Sequence, residues 1–419
     1  MDATHSNAAT AVSRIADGAR VIFQRKDWSK ECVVGSGKFL MISKMKTRTD
    51  EIVGLPYGCL VEWNKQEGVF QRVDKDDDED DIEDYGEEDG DNRNLVDDGS
   101  AQSLTLGEIS ALKSSGVTGM ELIGNLVKNS STFGQRQEYS KEKYVQKKKD
   151  KHIYRFRVLQ PTLRLVCEVY NCQRSQKINH LRVDTLAMML SFANIRHGSN
   201  VVVVDGSQGI LLAAALQRTG GAGRIVHIHS GPQPVIPAFD MFGFDEEWLK
   251  SIHHLSVDNL EVLSSNVRIL SSSVVPAAEP EPSPPFKRRK LSDPQAEAVR
   301  FIQNTPMDSL IMSTRLHPKS ILLFLLPFLR LSGNFAVHHA YREVLVDTFN
   351  ALRTLGSCVR ICLNETWLRY YQVLPDRTHP ENNMNGSGGY LLSGTVVERD
   401  AVGDKSANLD ALMEDLVQI

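Results

Sequence analysis

The sequence predicts a chain of two parts, a small antiparallel β domain followed by a larger α/β domain with a doubly wound sheet. Two observations support this division. Short β-like runs divided by Gly, Pro and Asp fill the first seventy residues, whereas apolar strands alternate with helical segments from about residue 180 onward. With 419 residues, the chain is long enough for two or three domains with buried cores.

The N-terminal β domain is predicted to be a small antiparallel barrel or sandwich. Turn residues at Gly35–Gly37 and Pro56–Gly58 separate its strands, as expected for hairpins. Two helical segments, Thr105–Lys113 and Gly119–Lys128, come next, and Leu163–Val169 is predicted to be a further strand. The predicted N-terminal strands are Ala19–Gln24, Cys32–Val34, Lys38–Met41 and Gly58–Glu62.

The α/β domain is predicted from apolar runs that alternate with helical periodicity. Val201–Asp205 is an apolar run that ends in an acid, which is typical of a buried parallel strand. Strands that alternate with helices imply right-handed crossovers and a doubly wound sheet. The other predicted helices are Val183–Asn194, Gly209–Arg218, Ser320–Leu331 and Tyr341–Thr354, and the other strands are Arg224–His229, Leu310–Met312, Asn334–His338, Val359–Leu363, Trp367–Leu374 and Gly389–Val397.

Charge is distributed unevenly along the chain. Fifteen acidic and two basic residues lie between Asp74 and Asp98, a net charge of −13. Because the whole chain carries −5, the remainder carries +8, which predicts a basic body with one acidic, disordered loop. The segment Pro276–Pro294 is Pro-rich and is predicted to be a second disordered loop. Its Lys287–Lys290 cluster is either a nuclear-localisation signal or a solvated basic patch.

These features set the predicted domain boundaries and exclude several protein classes. The longest apolar run, Ile321–Leu329, is half the roughly 18 residues that span a bilayer, and the N-terminus lacks a secretory signal. Six cysteines without a CxxC pair argue against a disulfide scaffold and a zinc site. The predicted parts are residues 1–73 with 99–170, the acidic loop 74–98, the α/β domain 171–400 with its loop 276–294, and a tail 401–419.

The turn after the first α/β strand has the outline of a nucleotide-binding turn but lacks most of its glycines. In Rossmann-like methyltransferases an acid and three spaced glycines bring backbone N–H groups close to S-adenosylmethionine. Here Asp205 is the acid and Gly209 stands at one glycine position. Ser207 and Leu211 occupy the other two, and a leucine there fills space that the helix–strand contact needs.

Two later strand ends also lack the expected groups. His229 ends the second strand where a carboxylate would bind the cofactor ribose, and Ser313 ends the fourth where a carboxylate would accept a proton. Together these changes predict a degenerate Rossmann-like domain of methyltransferase type, with no catalytic residues and no bound cofactor. The alternatives are an unrelated α/β domain and an active enzyme with unorthodox cofactor loops.

Several segments of the chain resemble a single family, the non-catalytic subunit of the eukaryotic tRNA (adenine-58 N1) methyltransferase. The resemblance covers roughly residues 15–400. The basic segment and the KINHLR motif are specific to that family, whereas the C-terminal hairpin is shared in kind with its catalytic subunit. The segments are GQRQEYSKEKYVQKKKDKH (Gly134–His152), SQKINHLRVDTLAMMLSFANIRHGS (Ser175–Ser199), WLRYYQVLPDRTHP (Trp367–Pro380) and GGYLLSGTVV (Gly388–Val397).

This resemblance implies a subunit that binds tRNA and pairs with a catalytic paralogue as a heterotetramer, two of each. The partner would hold S-adenosylmethionine, and the complex would form N1-methyladenosine in the tRNA T-loop, in the nucleus. The loop with Arg377 and His379 is expected near the subunit interface. We expect Tyr370–Tyr371 and Gly389–Val397 to form a hairpin at a sheet edge that the partner covers. The alternative function is a free-standing RNA-binding or translation-initiation factor built on this fold.

The basic segment Gly134–Arg157 is the predicted RNA-binding element. It carries nine Lys/Arg and three Asp/Glu, interleaved with aromatic residues. Contacts of this kind to phosphate are tolerant of sequence, and Tyr139 or Tyr144 could stack on an exposed base. Any single lysine could instead be a solvated surface charge, and His180 is expected to be structural. The predicted tRNA-binding residues are Arg136, Lys141, Lys143, Tyr144, Lys147, Lys148, Lys149 and Lys151, with Arg174, Lys177 and Arg182 at the entry to the α/β domain.

Overall fold

The computed structural model describes two compact units, one ending at Pro161 and the other beginning at Thr162. The acidic loop 74–98, the Lys287–Lys290 cluster and the tail 401–419 lie outside the described residues. The described residues are 13–73, 102–263 and 292–398, apart from 27, 43, 65–66, 115–116, 118, 135, 261, 374–377 and 385.

The first unit is built on a five-stranded antiparallel sheet. Its strand order is β2-β1-β7-β5-β6, and β3 and β4 form a separate hairpin. The antiparallel β domain is therefore confirmed, although the pairings among the described residues do not show a closed barrel. Three of these strands, β4, β6 and β7, were not predicted. The strands are β1 Arg20–Arg25, β2 Trp28–Val33, β3 Phe39–Ile42, β4 Met45–Arg48, β5 Leu60–Asn64, β6 Val69–Val73 and β7 Arg155–Leu159.

The core of this sheet follows from strict alternation along its strands. On β7, Phe156 and Val158 are buried, while Arg155 and Arg157 point to the opposite face. Phe23 of β1 packs against Phe156 with ring centroids 6.2 Å apart. One face of the sheet is therefore apolar and the other is free to carry charge.

Among its described residues the first unit also contains three α-helices: α1 Leu106–Ser114, α2 Gly119–Lys128 and α3 Glu138–His152. The predicted α1 and α2 are confirmed. Thr105 and Glu108 form a capping box at the start of α1, because each backbone N–H bonds the other residue's side chain, at 2.8 and 3.3 Å. Ile123 of α2 and Val145 of α3 belong to one buried cluster, which holds these two helices together.

The second unit contains a seven-stranded mixed sheet in the order β10-β9-β8-β11-β12-β16-β13. Strands β8 to β12 are parallel to one another, and β16 is antiparallel to both of its neighbours. The predicted doubly wound, Rossmann-like architecture is confirmed. The strands are β8 Val201–Asp205, β9 Ile225–His229, β10 Ile252–Ser256, β11 Met307–Ser313, β12 Leu329–His339, β13 Cys358–Trp367, β14 Tyr371–Gln372, β15 His379–Pro380 and β16 Ser387–Val396.

Helices connect and cover these strands. Residues on β8, β9 and β11, including Val202, Val226 and Leu310, form one large buried cluster with the helices. None of the helices in the described part of the chain is long and apolar enough to cross a membrane. The helices are α4 Leu163–Arg174, α5 Val183–Phe192, α6 Ile210–Thr219, α7 Glu246–Leu249, α8 Asp293–Asn304, α9 Pro318–Leu325 and α10 Arg342–Leu355.

Two predicted elements have the wrong type or extent. Leu163–Val169 was predicted to be a strand but begins helix α4, where the Thr162 hydroxyl caps the Leu165 N–H. The predicted helix Ser320–Leu331 ends at Leu325 because Pro327 cannot continue it, and its last residues begin β12. The final two residues of the predicted loop Pro276–Pro294 begin helix α8.

The predicted C-terminal hairpin is also corrected. Strand β16 lies inside the sheet, between β12 and β13, because apolar side chains along both of its faces are buried there. Its partner is Cys358–Trp367 rather than Tyr370–Tyr371. Tyr371 instead pairs with Pro380 in a two-residue ribbon, so Trp367–Leu374 is not one continuous strand. The edge strand at this end of the sheet is β13, and β10 is the edge strand at the other end.

Candidate nucleic-acid interface and degenerate cofactor loops

The first degenerate loop follows β8, and its acid is bonded within the protein. The Asp205 carboxylate accepts hydrogen bonds from the Ser207 N–H at 2.5 Å and the Ser207 hydroxyl at 2.6 Å. The same hydroxyl accepts from the Leu211 N–H at 3.2 Å. Burial raises the pKa of Asp205, against these bonds. The serine at the first lost glycine position thus turns the acid toward the start of α6.

The one retained glycine is covered by protein. Gly209 has φ +91°, and a Cβ there would lie 2.7 Å from Phe239 Cβ and 2.9 Å from Ile236 Cβ. The Ala238 N–H also donates to the Gln208 carbonyl at 3.0 Å. The chain after β9 therefore packs directly onto the turn that a nucleotide would approach in a Rossmann-like site.

At the end of β9, His229 is a buried, uncharged group. Only 4% of the residue is exposed, and burial lowers its pKa. The Nδ1 atoms of the neighbouring His227 and His254 lie 2.8 Å apart. Burial lowers the pKa of His254 to about 4. A neutral imidazole offers a single acceptor, so His229 cannot replace a carboxylate that accepts from two ribose hydroxyls.

Ser313, at the end of β11, belongs to a closed hydrogen-bond network. Its hydroxyl lies 3.1 Å from His338 Nδ1, and His338 Nε2 lies 3.2 Å from the Gly388 carbonyl. Because a carbonyl only accepts, Nε2 carries the proton and Nδ1 accepts from the Ser313 hydroxyl. The amide of Asn179 donates to that hydroxyl and to the Gly206 carbonyl, both at 3.3 Å.

The same network holds two strand ends together. The Gly206 N–H donates to the Ser313 carbonyl at 2.7 Å, and a Cβ on Gly206 would lie 2.8 Å from that oxygen. Full burial lowers the pKa of His338 to about 4, so its imidazole is neutral near pH 7. Ser313 thus has a structural role, in keeping with its predicted place among the degenerate positions. Asn179 and His338 were missed, because nothing near them in sequence indicates a contact with β11.

The predicted RNA-binding segment is mainly helix α3. Three of its lysines, Lys143, Lys147 and Lys151, are exposed and four residues apart. At 1.5 Å rise per residue this places them in one stripe, about 6 Å from one to the next along the helix axis. We call these three residues the lysine stripe. It presents three positive charges to solvent along one line of the helix.

Two other predicted lysines face inward. Lys141 is 3% exposed and Lys149 is 8% exposed. They share a line along α3 with the buried Val145 and Ile153, which pack against α2. For these two lysines, contact with a phosphate would require leaving the interior, so the exposed stripe is the better candidate. Their charge made them look like surface residues in the sequence.

Tyr144 lies between two of the predicted cations. The Arg136 guanidinium is 5.1 Å from its ring centroid, and Lys148 Nζ is 5.0 Å away. The Phe133 ring is a third neighbour at 5.5 Å. This packing draws Arg136 and Lys148 to the tyrosine, so stacking of a base on Tyr144 stays a prediction. The side chain of Tyr139 lies outside the described residues.

The predicted cations of the second unit divide into exposed and structural residues. Arg174 and Lys177 are exposed. Arg182 is buried instead, with two bonds to the Asp184 carboxylate at 2.5 and 2.8 Å and one to the Gly386 carbonyl at 2.9 Å. His180 is exposed in a left-handed turn with φ +58°. Arg377 lies outside the described residues, and His379 pairs with Gln372 in the short ribbon.

An exposed arginine that the sequence reasoning missed lies beside this group. Arg315 lies two residues after the end of β11, and its guanidinium donates to the Gln176 carbonyl at 2.5 Å. This bond holds it next to Lys177, at the carboxyl end of β11. Its position two residues after the degenerate Ser313 was the available signal.

A family model and curated relatives match this chain. Residues 14–296 match the model described as the Gcd10p family. The tRNA (adenine(58)-N(1))-methyltransferase non-catalytic subunit of Mus musculus is 32% identical over 447 residues, which cover 93% of this chain and 89% of the relative. The chain belongs to the Gcd10p family. A relative from Dictyostelium discoideum with the same description is 28% identical, covering 93% of this chain and 81% of its own length.

Solved structures support the fold of this Gcd10p-family chain. An S-adenosylmethionine-dependent O-methyltransferase from Thermotoga maritima aligns with a TM-score of 0.53 at 12% identity. The alignment covers 94% of this chain and 99% of that one. At this identity the match is evidence for the methyltransferase-like fold alone.

Proposed function

We propose that this chain is the non-catalytic, tRNA-binding subunit of the tRNA (adenine-58 N1) methyltransferase complex. In this proposal the chain is not an enzyme by itself, and the catalytic partner forms N1-methyladenosine in the tRNA T-loop. The printed names of the Mus musculus and Dictyostelium discoideum relatives describe such a non-catalytic subunit. The assembly is a heterotetramer with two of each subunit, and the Lys287–Lys290 cluster directs it to the nucleus.

The main observation behind this proposal is that residues at the cofactor end of the fold pack against other residues of the same chain. Ile236 and Phe239 cover Gly209, and Ser207 binds the Asp205 carboxylate. These residues do not fit S-adenosylmethionine, because the turn that should approach its carboxylate and ribose is in van der Waals contact with protein. We therefore assign the cofactor to the catalytic partner.

Binding of tRNA is assigned to the exposed cations. The lysine stripe of α3 would contact successive phosphates and release their counterions, which gives affinity without sequence preference. In the second unit, Arg174, Lys177 and Arg315 are exposed and would make a further phosphate-binding group. Such a grip suits a subunit that must accept many tRNAs of one shape.

Binding of the catalytic partner is assigned to the edge strand β13 and the residues that follow it. Trp367 is 67% exposed and Tyr371 is 55% exposed, while Val359 on the same strand is 45% exposed. An edge strand with exposed apolar side chains is a liability unless another chain covers it. We propose that the catalytic subunit does so, and that the loop containing Arg377 and His379 lies at this interface.

For the first unit we propose that the sheet closes into a barrel through the β3–β4 hairpin. Lys30 Nζ on β2 donates to the Met41 carbonyl on β3 at 3.0 Å, which supports an approach of the hairpin to that edge. Closure would leave fewer unpaired backbone groups at the two ends of the sheet.

Reconstitution of methyl transfer tests the proposed function. This chain and the catalytic subunit are expressed separately and together, and incorporation of labelled methyl into tRNA is measured for each. We expect activity only from the mixture. Full activity from the catalytic subunit alone would contradict the proposed requirement for this chain, and activity from this chain alone would contradict its non-catalytic role.

A further inference from the structure

A second candidate phosphate site lies in the first unit, in a groove beside the lysine stripe. The groove has a volume of about 400 Å³. It lies between the C-terminal half of α3 and strands β1, β5 and β7. Its lining residues are Gln24, Arg25, Lys26, Leu60, Gln146, Lys149, Asp150, Ile153, Arg155 and Arg157.

The position of the arginines follows from the alternation of β7. Phe156 and Val158 enter the core, so Arg155 and Arg157 must lie on the outer face. In the strand pairing, Arg157 stands opposite Gln24 on β1 and Leu60 on β5. This exposed arginine is therefore in the middle of the three strands that line the groove.

The lining is strongly cationic. Besides the inward-facing Lys149 it contains four cations, Arg25, Lys26, Arg155 and Arg157, and a single acid, Asp150, which Lys26 Nζ contacts at 2.6 Å. Arg155 is bound at its Nε by Glu62, at 2.9 Å. Cations gathered in one concave site repel one another, and a bound anion relieves that repulsion.

The end of α3 would oppose an anion if its carbonyls faced the groove uncovered, because the C-terminus of a helix carries partial negative charge. Arg25 removes this obstacle. Its Nη2 atom donates to the Asp150 carbonyl at 2.5 Å and to the Ile153 carbonyl at 2.7 Å. The helix end is thereby neutralised, and the groove keeps its positive character.

We propose that this groove binds a phosphodiester segment of the RNA backbone, with Arg157 as its central contact. The proposal rests on the proposed function. Only Leu60 and Ile153 are apolar among the lining residues, so the groove offers backbone contacts rather than an apolar slot for a base. Lys143 and Lys147 of the stripe stand three residues before the lining residues Gln146 and Asp150, so they are their neighbours on the surface of α3. The stripe therefore borders the groove.

The test uses the full complex with its catalytic partner and compares two charge reversals in the same sheet. Arg157→Glu changes the groove, whereas Arg72→Glu changes an exposed arginine on β6 that does not line it. Equilibrium binding of fluorescent tRNA is measured over a series of salt concentrations. We expect Arg157→Glu to weaken binding about tenfold or more and to lower the salt slope by about one, and Arg72→Glu to change affinity less than twofold.

A third variant separates charge from folding. Arg157→Lys keeps the cation and should retain most of the affinity, while a fold defect would affect it as well. Equal tRNA affinity of Arg157→Glu and Arg72→Glu, in a background where the unaltered complex binds tRNA, would overturn the groove assignment. Failure of the unaltered complex to bind tRNA would instead contradict the proposed function itself.

A final arm distinguishes RNA from a small phosphate. Inorganic pyrophosphate is titrated into the complex at constant ionic strength. If it binds saturably through Arg157 while tRNA affinity is unchanged in Arg157→Glu, the groove serves a free phosphate and the RNA assignment is wrong. We expect no saturable binding of pyrophosphate at concentrations that leave tRNA bound.

Discussion

The carboxyl end of the α/β sheet and the outer face of the β domain use polar residues in opposite ways. At the sheet end, Asp205, Ser313 and His338 form hydrogen bonds with other groups of the protein, and Ser313 and His338 are buried. On the β domain, the lysine stripe and Arg157 are exposed and charged. A site that has the outline of a known cofactor site must therefore be judged by the partners that its polar groups already bind. Where internal partners satisfy them, a ligand has little left to contact.

The two regions also differ in the charge that their side chains carry. Burial lowers the pKa of the histidines at the sheet end and so removes their charge, whereas the lysine stripe lies on the exposed surface of α3. In our proposal, one region contributes to folding and the other to association with tRNA.

The largest effect is expected at the covered glycine. Gly209→Ala adds a Cβ at φ +91° and within 2.9 Å of both Phe239 and Ile236 side chains. Strain and overpacking should together lower the free energy of unfolding by about 3–5 kcal/mol. Gly231→Ala, at φ +80° with open space around it, should cost only the strain, about 1 kcal/mol. Denaturant unfolding of the complex measures both, and equal losses would mean that the turn is not packed as described.

The second effect is a loss of stability in acid. Because burial lowers the pKa of His338 from 6.5 to about 4, the unfolded chain binds a proton in this range that the folded chain does not. Stability should therefore fall as the pH drops from 6.5 to 4, by about 3 kcal/mol from this residue.

The free energy of unfolding, measured across that pH range, checks this expectation. His338→Gln should flatten the dependence by about one proton. An unchanged slope would show that His338 is not held neutral. His254, whose pKa burial also lowers to about 4, should behave in the same direction when replaced by Gln.

A smaller effect is expected from the lysine stripe. Replacing Lys143, Lys147 and Lys151 with Ala in the complex should weaken tRNA binding and lower the salt slope by about two to three, because up to three phosphate contacts are lost. The matched control replaces three exposed lysines of the first unit, Lys38, Lys44 and Lys46. Equal losses of tRNA affinity in both triple variants would show that the stripe acts only as general surface charge.

Much of this organisation could be predicted from local sequence. The apolar run of β8 and the degenerate positions after it are contiguous, so their pattern was visible. The helix over residues 163–169 was not predicted, because LRLVCEV fits both the alternation of a strand and the periodicity of a helix. Only the cap at Thr162 decides between the two. The partners of Ser313 were invisible for another reason. Asn179, His338 and Gly388 meet there from distant parts of the chain, and only the fold brings them together.

The buried lysines show a third limit. As charged residues, Lys141 and Lys149 were expected on the solvent-exposed side of α3. Their four-residue spacing with Val145 and Ile153 instead places them on the side that packs against α2. Charge alone predicted this segment as the RNA-binding element, and it could not separate the buried lysines of the helix from the exposed ones.

The most direct test of the central claim is the number of cofactor molecules that the complex binds. S-adenosylmethionine is titrated calorimetrically into the assembled complex of this chain with its catalytic partner. Because side chains of this chain fill its own cofactor end, we expect one bound S-adenosylmethionine for each pair of chains, held by the catalytic subunit. Two molecules per pair, with one lost when Gly209 is replaced by Ala, would contradict the account and return a cofactor site to this chain.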